Sequence, residues 1–195
     1  MNKRRLEYQD YSDPELIAGC LNGKELCQEV LYKRYFSYAM SISLRYTRNR
    51  DDAMEVVNDS YMKVLDKLAD FDPSKSFRAW YSKILVNTSI DYYRRNLKRK
   101  DDISVDMISD MSDEEPVIDV ELSVDDILAI FSRLPENYKL TFNLYEIEGY
   151  SHEEIAEMLG ISVSTSRSNL ARAKKTVREI YFKEFKSNPA RNEAV

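Results

Sequence analysis

Between Asp101 and Asp126 every charged residue is acidic: Asp101, Asp102, Asp106, Asp110, Asp113, Glu114, Glu115, Asp119, Glu121, Asp125 and Asp126. The same stretch carries Ser104, Ser109, Ser112 and Pro116 and no aromatic residue. Its charges repel one another and it has little apolar area to bury, so it cannot build a core of its own. It reads as a flexible acidic linker over residues 101–122. The 195-residue chain is thereby divided into two small domains, 16–100 and 123–185.

Both domains read as helical. The chain holds only four glycines and five prolines, the main helix breakers, and its 43% hydrophobic content is enough to fill two small cores. No stretch alternates apolar and polar residues between turn clusters. The expected fold class is all-α, with a four-helix helix-turn-helix domain at the C-terminal end.

The net charge of −5 argues against a protein that coats nucleic acid, but its distribution matters more than its sum. A basic run, Arg94-Arg95-Asn96-Leu97-Lys98-Arg99-Lys100, precedes the acidic segment, and Arg167, Arg172, Lys174, Lys175 and Arg178 follow it. No apolar run comes after Met1-Asn2-Lys3-Arg4-Arg5, and no window approaches a membrane span, so a cytoplasmic protein is expected. Cys20 and Cys27, seven apart, are expected on similar sides of a helix as reduced, half-buried thiols. His152 is the only histidine and is distant from both, so no metal site and no cofactor are expected. The sequence has no phosphate loop and no nucleophile–base pair, and the chain is not expected to be an enzyme.

In the first domain Ser12-Asp13-Pro14-Glu15 is a helix start. Val30, Leu31, Tyr35, Tyr38, Ala39, Ile42 and Tyr46 recur at helical spacing, predicting a helix over 26–48. Asp51-Asp52 opens the next, with Ala53, Val56, Val57, Tyr61, Val64, Leu65 and Leu68 as its apolar stripe. Phe71-Asp72-Pro73-Ser74-Lys75-Ser76 breaks the pattern. Phe77, Trp80, Ile84, Leu85, Thr88 and Tyr92 then form a further stripe that runs into the basic cluster. On this helix Asn87, Asp91 and Arg94 share one face, which Lys98, Arg99 and Lys100 extend with positive charge. A basic helix beside a loop suits single-stranded DNA with a base turned into a pocket; a solvated helix end fits the same residues equally well. Trp80, Tyr81, Tyr92 and Tyr93 are candidates for base stacking, with Trp80 and Tyr92 expected in the core.

In the second domain Val124, Ile127, Leu128, Phe131 and Leu134 mark one helix. Pro135 starts another, with Leu140, Leu144 and Ile147 inward and Gly149 at its end. Helices from His152 to Leu159 and from Val163 to about Phe182 follow. The segment Tyr150-Ser151-His152-Glu153-Glu154-Ile155-Ala156-Glu157-Met158-Leu159-Gly160-Ile161-Ser162 carries the chemistry. Ser151 and Glu154 make a capping box, Ala156 is small where two helices cross, Gly160 permits the turn, Ile161 plugs it, and Ser162 caps the next helix. This is a helix-turn-helix. Its second helix would place Ser164, Thr165, Arg167, Ser168 and Asn169 at base edges in the major groove, with Arg172, Lys174, Lys175 and Arg178 toward phosphates. Leu170, Ala173 and Val177 would hold it to the core. An ordinary helical hairpin with a solvated basic face is the plain alternative.

The order of features resembles the extracytoplasmic-function sigma factors, the smallest group of the sigma-70 family. The first domain matches their pattern in Asp52-Ala53-Met54-Glu55-Val56-Val57-Asn58-Asp59, Phe77-Arg78-Ala79-Trp80, Ile84, Asn87, Asp91 and Arg94. The second matches in Leu134-Pro135, Gly149-Tyr150-Ser151, Glu154-Ile155-Ala156, Gly160-Ile161-Ser162, Thr165 and Ser168. The chain departs from the pattern at Met54 and Asn58, and at Ser166 and Asn169, which stand where aliphatic and basic residues are usual.

The resemblance implies a subunit that binds core RNA polymerase and directs initiation at promoter DNA. Glu55, Asn58, Asp59 and Lys63 would dock on the polymerase clamp helices. The 71–76 loop with Lys75, Asn87, Asp91, Arg94, Arg95 and Lys98 would recognise and melt the minus-ten element. Ser164, Thr165, Arg167, Ser168, Asn169, Arg172 and Lys175 would read the minus-thirty-five element. The linker, roughly 70 Å long if extended at about 3.3 Å per residue, would thread through the polymerase and let one chain reach both elements. An anti-sigma factor is an implied partner. Two other readings of the chain are a free-standing helix-turn-helix regulator and a protein-binding adaptor.

Overall fold

The computed structural model describes residues 10–97 and 129–183, and among these every regular element is helical. The chain divides into two compact units close to Arg94. The N-terminal helices are α1 (Asp13–Leu21), α2 (Glu25–Ser43), α3 (Arg50–Lys67) and α4 (Phe77–Leu97), with a 3-10 turn at Leu68–Asp70. The acidic segment, Lys98, Arg99, Lys100 and the residues Val124, Ile127 and Leu128 lie outside the described residues.

The start of α1 follows from its first four residues. The Ser12 N–H and hydroxyl both donate to Glu15 Oε2, at 2.7 and 2.6 Å. This pulls the Glu15 carboxyl below its usual pKa. Pro14 sits in the first turn, where its missing N–H costs nothing. Asp13 also receives the Tyr35 hydroxyl and, at 2.8 Å, the Arg34 guanidinium, tying α1 to α2.

The two cysteines do not share a helix. Gly23 takes a φ of 72°, open to glycine at little cost, and the chain turns there between Cys20 on α1 and Cys27 on α2. Both thiols are fully buried rather than half-buried. The cause is Gly19: a Cβ there would lie 2.2 Å from Cys27 Sγ, so only glycine lets the two helices close this far. Burial, with Cys27 adding to it, raises Cys20 to about 11, which leaves it an unreactive thiol at neutral pH.

The second helix stops at Ser43, earlier than the apolar spacing predicts. The Thr47 hydroxyl donates to Ser43 O at 3.0 Å, and the chain turns toward Asn49, whose side chain accepts from Asp52 N–H at 2.8 Å. Asn49 is thus the cap of α3, a cap that the acidic pair Asp51-Asp52 masks in the sequence. Asn49→Ala is expected to lower stability by about 1 kcal/mol. An unchanged urea midpoint would show that the cap contributes nothing.

Ala53, Val56, Val57, Tyr61, Val64 and Leu68 are buried as their spacing requires, while Leu65 is only half-buried. The Tyr61 hydroxyl donates to Gln28 O at 2.5 Å and its ring meets Tyr32 edge-on at 5.0 Å, joining α3 to α2. On α4, Phe77 and Tyr81 face Tyr35, with ring centroids 4.9 and 6.3 Å away. The Tyr81 hydroxyl lies 3.3 Å from Ser60 Oγ on α3.

In the C-terminal part of the chain residues 129–132 are helical. They are followed by α5 (Glu136–Phe142), a π-helical turn (Asn143–Ile147), α6 (His152–Leu159) and α7 (Val163–Tyr181). Helix α5 packs against α7. Leu140 and Leu144 are fully buried, but Ile147 is 45% exposed, against the expectation that it faces inward. The π turn explains this. Glu148 N–H reaches back to Asn143 O at 3.0 Å, five residues away, and the wider turn carries Ile147 off the inward face. No described helix is long and apolar enough to cross a membrane.

Candidate nucleic-acid interface

The turn between α6 and α7 is built almost wholly from local chemistry. Ser151 N–H and Oγ donate to Glu154 Oε2 at 2.8 and 3.0 Å, while Glu154 N–H donates to Ser151 Oγ at 3.2 Å. Each end of this box satisfies a donor that the first helical turn leaves open. At the other end Gly160 has a φ of 69° and Ile161 N–H returns to Ala156 O at 3.0 Å, the Schellman closure. Ser162 Oγ then accepts from Thr165 N–H at 2.9 Å and starts α7. Ile155, Ala156 and Leu159 are buried, as the motif requires.

On α7 the exposed residues are Ser164, Arg167, Ala171, Lys175 and Glu179, a stripe spaced by three and four. Arg167 and Lys175 supply its positive charge. Ala171, at its centre, was not singled out from the sequence. Thr165 is half-buried, and its hydroxyl lies 2.7 Å from Ser162 Oγ, within the cap. Ser168 is half-buried. Asn169 is only 4% exposed, which corrects its placement at the base-reading tip: the inward face of α7 is wider than Leu170 and Ala173 alone and takes in Ser166 and Asn169. Val177 is half-buried beside that face. Arg172 donates to the Tyr138 hydroxyl at 3.3 Å, and Lys174 pairs with Glu146 at 3.0 Å, so both act partly within the fold. Arg167 pairs with Glu153 at 3.5 Å, both ends well exposed. An ion pair so hydrated contributes at most about 1 kcal/mol and releases the guanidinium readily.

His152 opens α6. Its Nδ1 lies 2.9 Å from Ser166 Oγ and its ring stacks on Tyr145 at 4.5 Å. Burial, then the neighbouring Arg167 charge, lowers its pKa below the ordinary histidine value, against the opposing pull of Glu153. These surroundings favour the neutral imidazole.

On α4, Asn87, Asp91, Arg94 and Arg95 are exposed as their spacing predicts, and Lys83, one turn before Asn87, extends the same face. Leu85, Val86, Thr88, Ser89 and Ile90 are buried behind it. Asp91 holds the Lys63 ammonium of α3 at 2.9 Å, so a residue expected at the minus-ten element meets one expected at the polymerase. Lys98 lies outside the described residues.

The preceding loop is shaped by Asp72, whose Oδ1 accepts from Ser74 N–H at 3.0 Å and from its hydroxyl at 2.7 Å; these bonds hold the carboxyl below its usual pKa. Lys75 projects from the loop, 3.6 Å from Asp72. Trp80 is half-buried against Phe71 and Phe77 rather than in the core. Tyr92 is buried as expected. Tyr81 and Tyr93 are buried too and are not stacking platforms here; burial pushes Tyr81 up to about 12. Tyr38 is half-buried like Trp80, with the Arg78 guanidinium 4.1 Å above its ring.

On α3, Glu55 and Asn58 are exposed and Asp59 and Lys63 half-exposed. Asn58 Oδ1 accepts the Tyr32 hydroxyl at 2.9 Å. Met62, 59% exposed, stands on this same face, seven residues after Glu55. The sequence did carry a signal for it, an apolar residue lying off the buried stripe.

Two family patterns match the chain. Sigma-70 region 2 covers residues 31–99, and sigma-70, region 4 covers residues 125–177. RNA polymerase sigma factor SigV of Bacillus subtilis (strain 168) is 31% identical over 139 residues, 70% of this chain and 80% of that one. The ECF RNA polymerase sigma-E factor of Haemophilus influenzae is 27% identical over 180 residues, 87% of this chain and 95% of its own. Among solved structures, the sigma factor RpoE in complex with the anti-sigma factor NepR from Bartonella quintana aligns with a TM-score of 0.47 at 21% identity. That alignment covers 83% of this chain and 99% of the other. Both halves thus match in the order the sequence suggested, and the chain belongs to the sigma-70 family of RNA polymerase sigma factors, in its extracytoplasmic-function group.

Proposed function

We propose that the two units divide the work of a sigma factor as residues 16–100 and 123–185, joined by the acidic segment 101–122. In this reading the protein acts in the cytoplasm as a non-catalytic subunit of the polymerase. The α3 face bearing Glu55, Asn58, Asp59 and Lys63, with Met62 among them, docks on core RNA polymerase. The 71–76 loop with Lys75 and the α4 face of Asn87, Asp91, Arg94 and Arg95 engage the minus-ten element, as does Lys98. Ser164, Arg167 and Lys175 on α7 read the minus-thirty-five element, with Thr165, Ser168 and Arg172 in support. The observation that carries this is the single exposed, basic stripe of α7 behind a fully capped helix-turn-helix, in a chain that also matches region 2. An anti-sigma factor is the proposed regulator.

The test is runoff transcription with purified core polymerase on the protein's own upstream region. Alone, the protein should bind promoter duplex weakly, since its charges nearly cancel. With core enzyme it should direct initiation at one position. Tight, specific duplex binding without any stimulation of core enzyme would instead make it a free-standing regulator.

A further inference from the structure

We propose that His152 and Ser166 form a clasp that sets the orientation of α7 on α6, making His152 a positioning residue for reading the minus-thirty-five element. The proposal rests on α7 being the reading helix. Ser166 stands where the family resemblance leads one to expect an aliphatic residue, and its side chain is fully buried. Its hydroxyl lies 2.9 Å from the imidazole Nδ1 of His152. That ring is itself fixed by stacking on Tyr145 at 4.5 Å with 22° between the planes. Tyr145 belongs to the π turn, and the next residue, Glu146, pairs with Lys174 of α7 at 3.0 Å. Three elements of one unit therefore meet at this imidazole.

An aliphatic contact at position 166 is non-directional and tolerates small rotations of α7. A hydrogen bond to a buried hydroxyl does not, because a rotation that breaks it strands a polar atom. Base reading needs side chains held to about 0.5 Å and 10–20°, and Arg167 directly follows Ser166 in the chain. The cross-helix contacts form two rungs: His152 to Ser166, buried, and Glu153 to Arg167, exposed. When Arg167 leaves Glu153 for DNA, the outer rung is lost and the inner one still holds the helix.

The experiment uses reconstituted holoenzyme and a promoter set with every single-base change in the minus-thirty-five element. The variants are His152→Ala, Ser166→Ala, the double variant, His152→Asn (whose amide can stand near the place of Nδ1) and Ser166→Val. The last keeps the buried volume filled, which separates the lost bond from lost packing. His152→Ala, Ser166→Ala and Ser166→Val should each reduce discrimination between the best and altered elements by roughly three- to tenfold, the equivalent of one net hydrogen bond. The double variant should lose no more than either single one, and His152→Asn should recover most of the discrimination. Unchanged discrimination in the single variants, or additive losses in the double, overturns the clasp while leaving α7 as the reading helix. A wild-type holoenzyme indifferent to the element overturns both.

Discussion

Ile155→Ala is expected to lower the stability of the C-terminal helices by about 2–5 kcal/mol, the range for an isoleucine truncated in a packed core. Ile155 is fully buried. It lies on α6, which has only eight residues, too few for a helix to hold itself in water. Its caps at Ser151 and Gly160 fix where the helix begins and ends but supply little of its free energy; the buried face supplies most. Chemical denaturation should show the loss directly. In transcription, the variant should lose its dependence on the minus-thirty-five element at temperatures that the wild type tolerates. Initiation from a premelted template should persist, since that step is assigned to the N-terminal helices. A stability loss under about 1 kcal/mol would mean that α6 is held by something other than this face.

What could be read from the sequence was what short-range chemistry decides. The start of α1 at Ser12, the whole of α6 and the start of α7 follow from residues within four positions of one another, and the structure places them as read. The errors came where distant residues decide. Cys20 and Cys27 have helical spacing, but Gly23 turns the chain between them, and the contact of Gly19 with Cys27 that makes the turn favourable is invisible along the chain. Ile147 continues an α-helical count that the π turn interrupts.

The burial of Asn169, expected at the base-reading tip, is a different failure, and Ser166 is buried on the same face. Periodicity finds a core face through its apolar members, and these two polar side chains occupy the same face. Ser166 can be buried because His152 satisfies its hydroxyl, a pairing fourteen residues apart with no sequence signature. The reverse holds for Met62, an apolar residue that stays exposed. Polar inside and apolar outside are the informative exceptions, and both fall on helices assigned to partner contact.

The exposed stripe of α7 carries the last expected result, a contrast between two of its cations. Arg167→Ala should remove a base contact worth about 1–3 kcal/mol and blur discrimination at one position of the minus-thirty-five element. Arg167 lies in the first turns of α7, the part of a recognition helix that meets base edges, and its guanidinium can donate two parallel bonds to a guanine. Its present partner, Glu153, does not compete strongly, because both side chains are about two-thirds exposed. Lys175 lies two turns further along the same stripe, where the helix leaves the base edges and approaches phosphate. Lys175→Ala should weaken all sequences alike and flatten the slope of log affinity against log salt by about one unit. The measurement is holoenzyme binding and initiation across a library of minus-thirty-five variants at several salt concentrations. Arg167→Ala should change the ranking of sequences, whereas Lys175→Ala should preserve it and change the salt slope. If the two variants shift the library in the same way, α7 does not lie in the groove in this orientation.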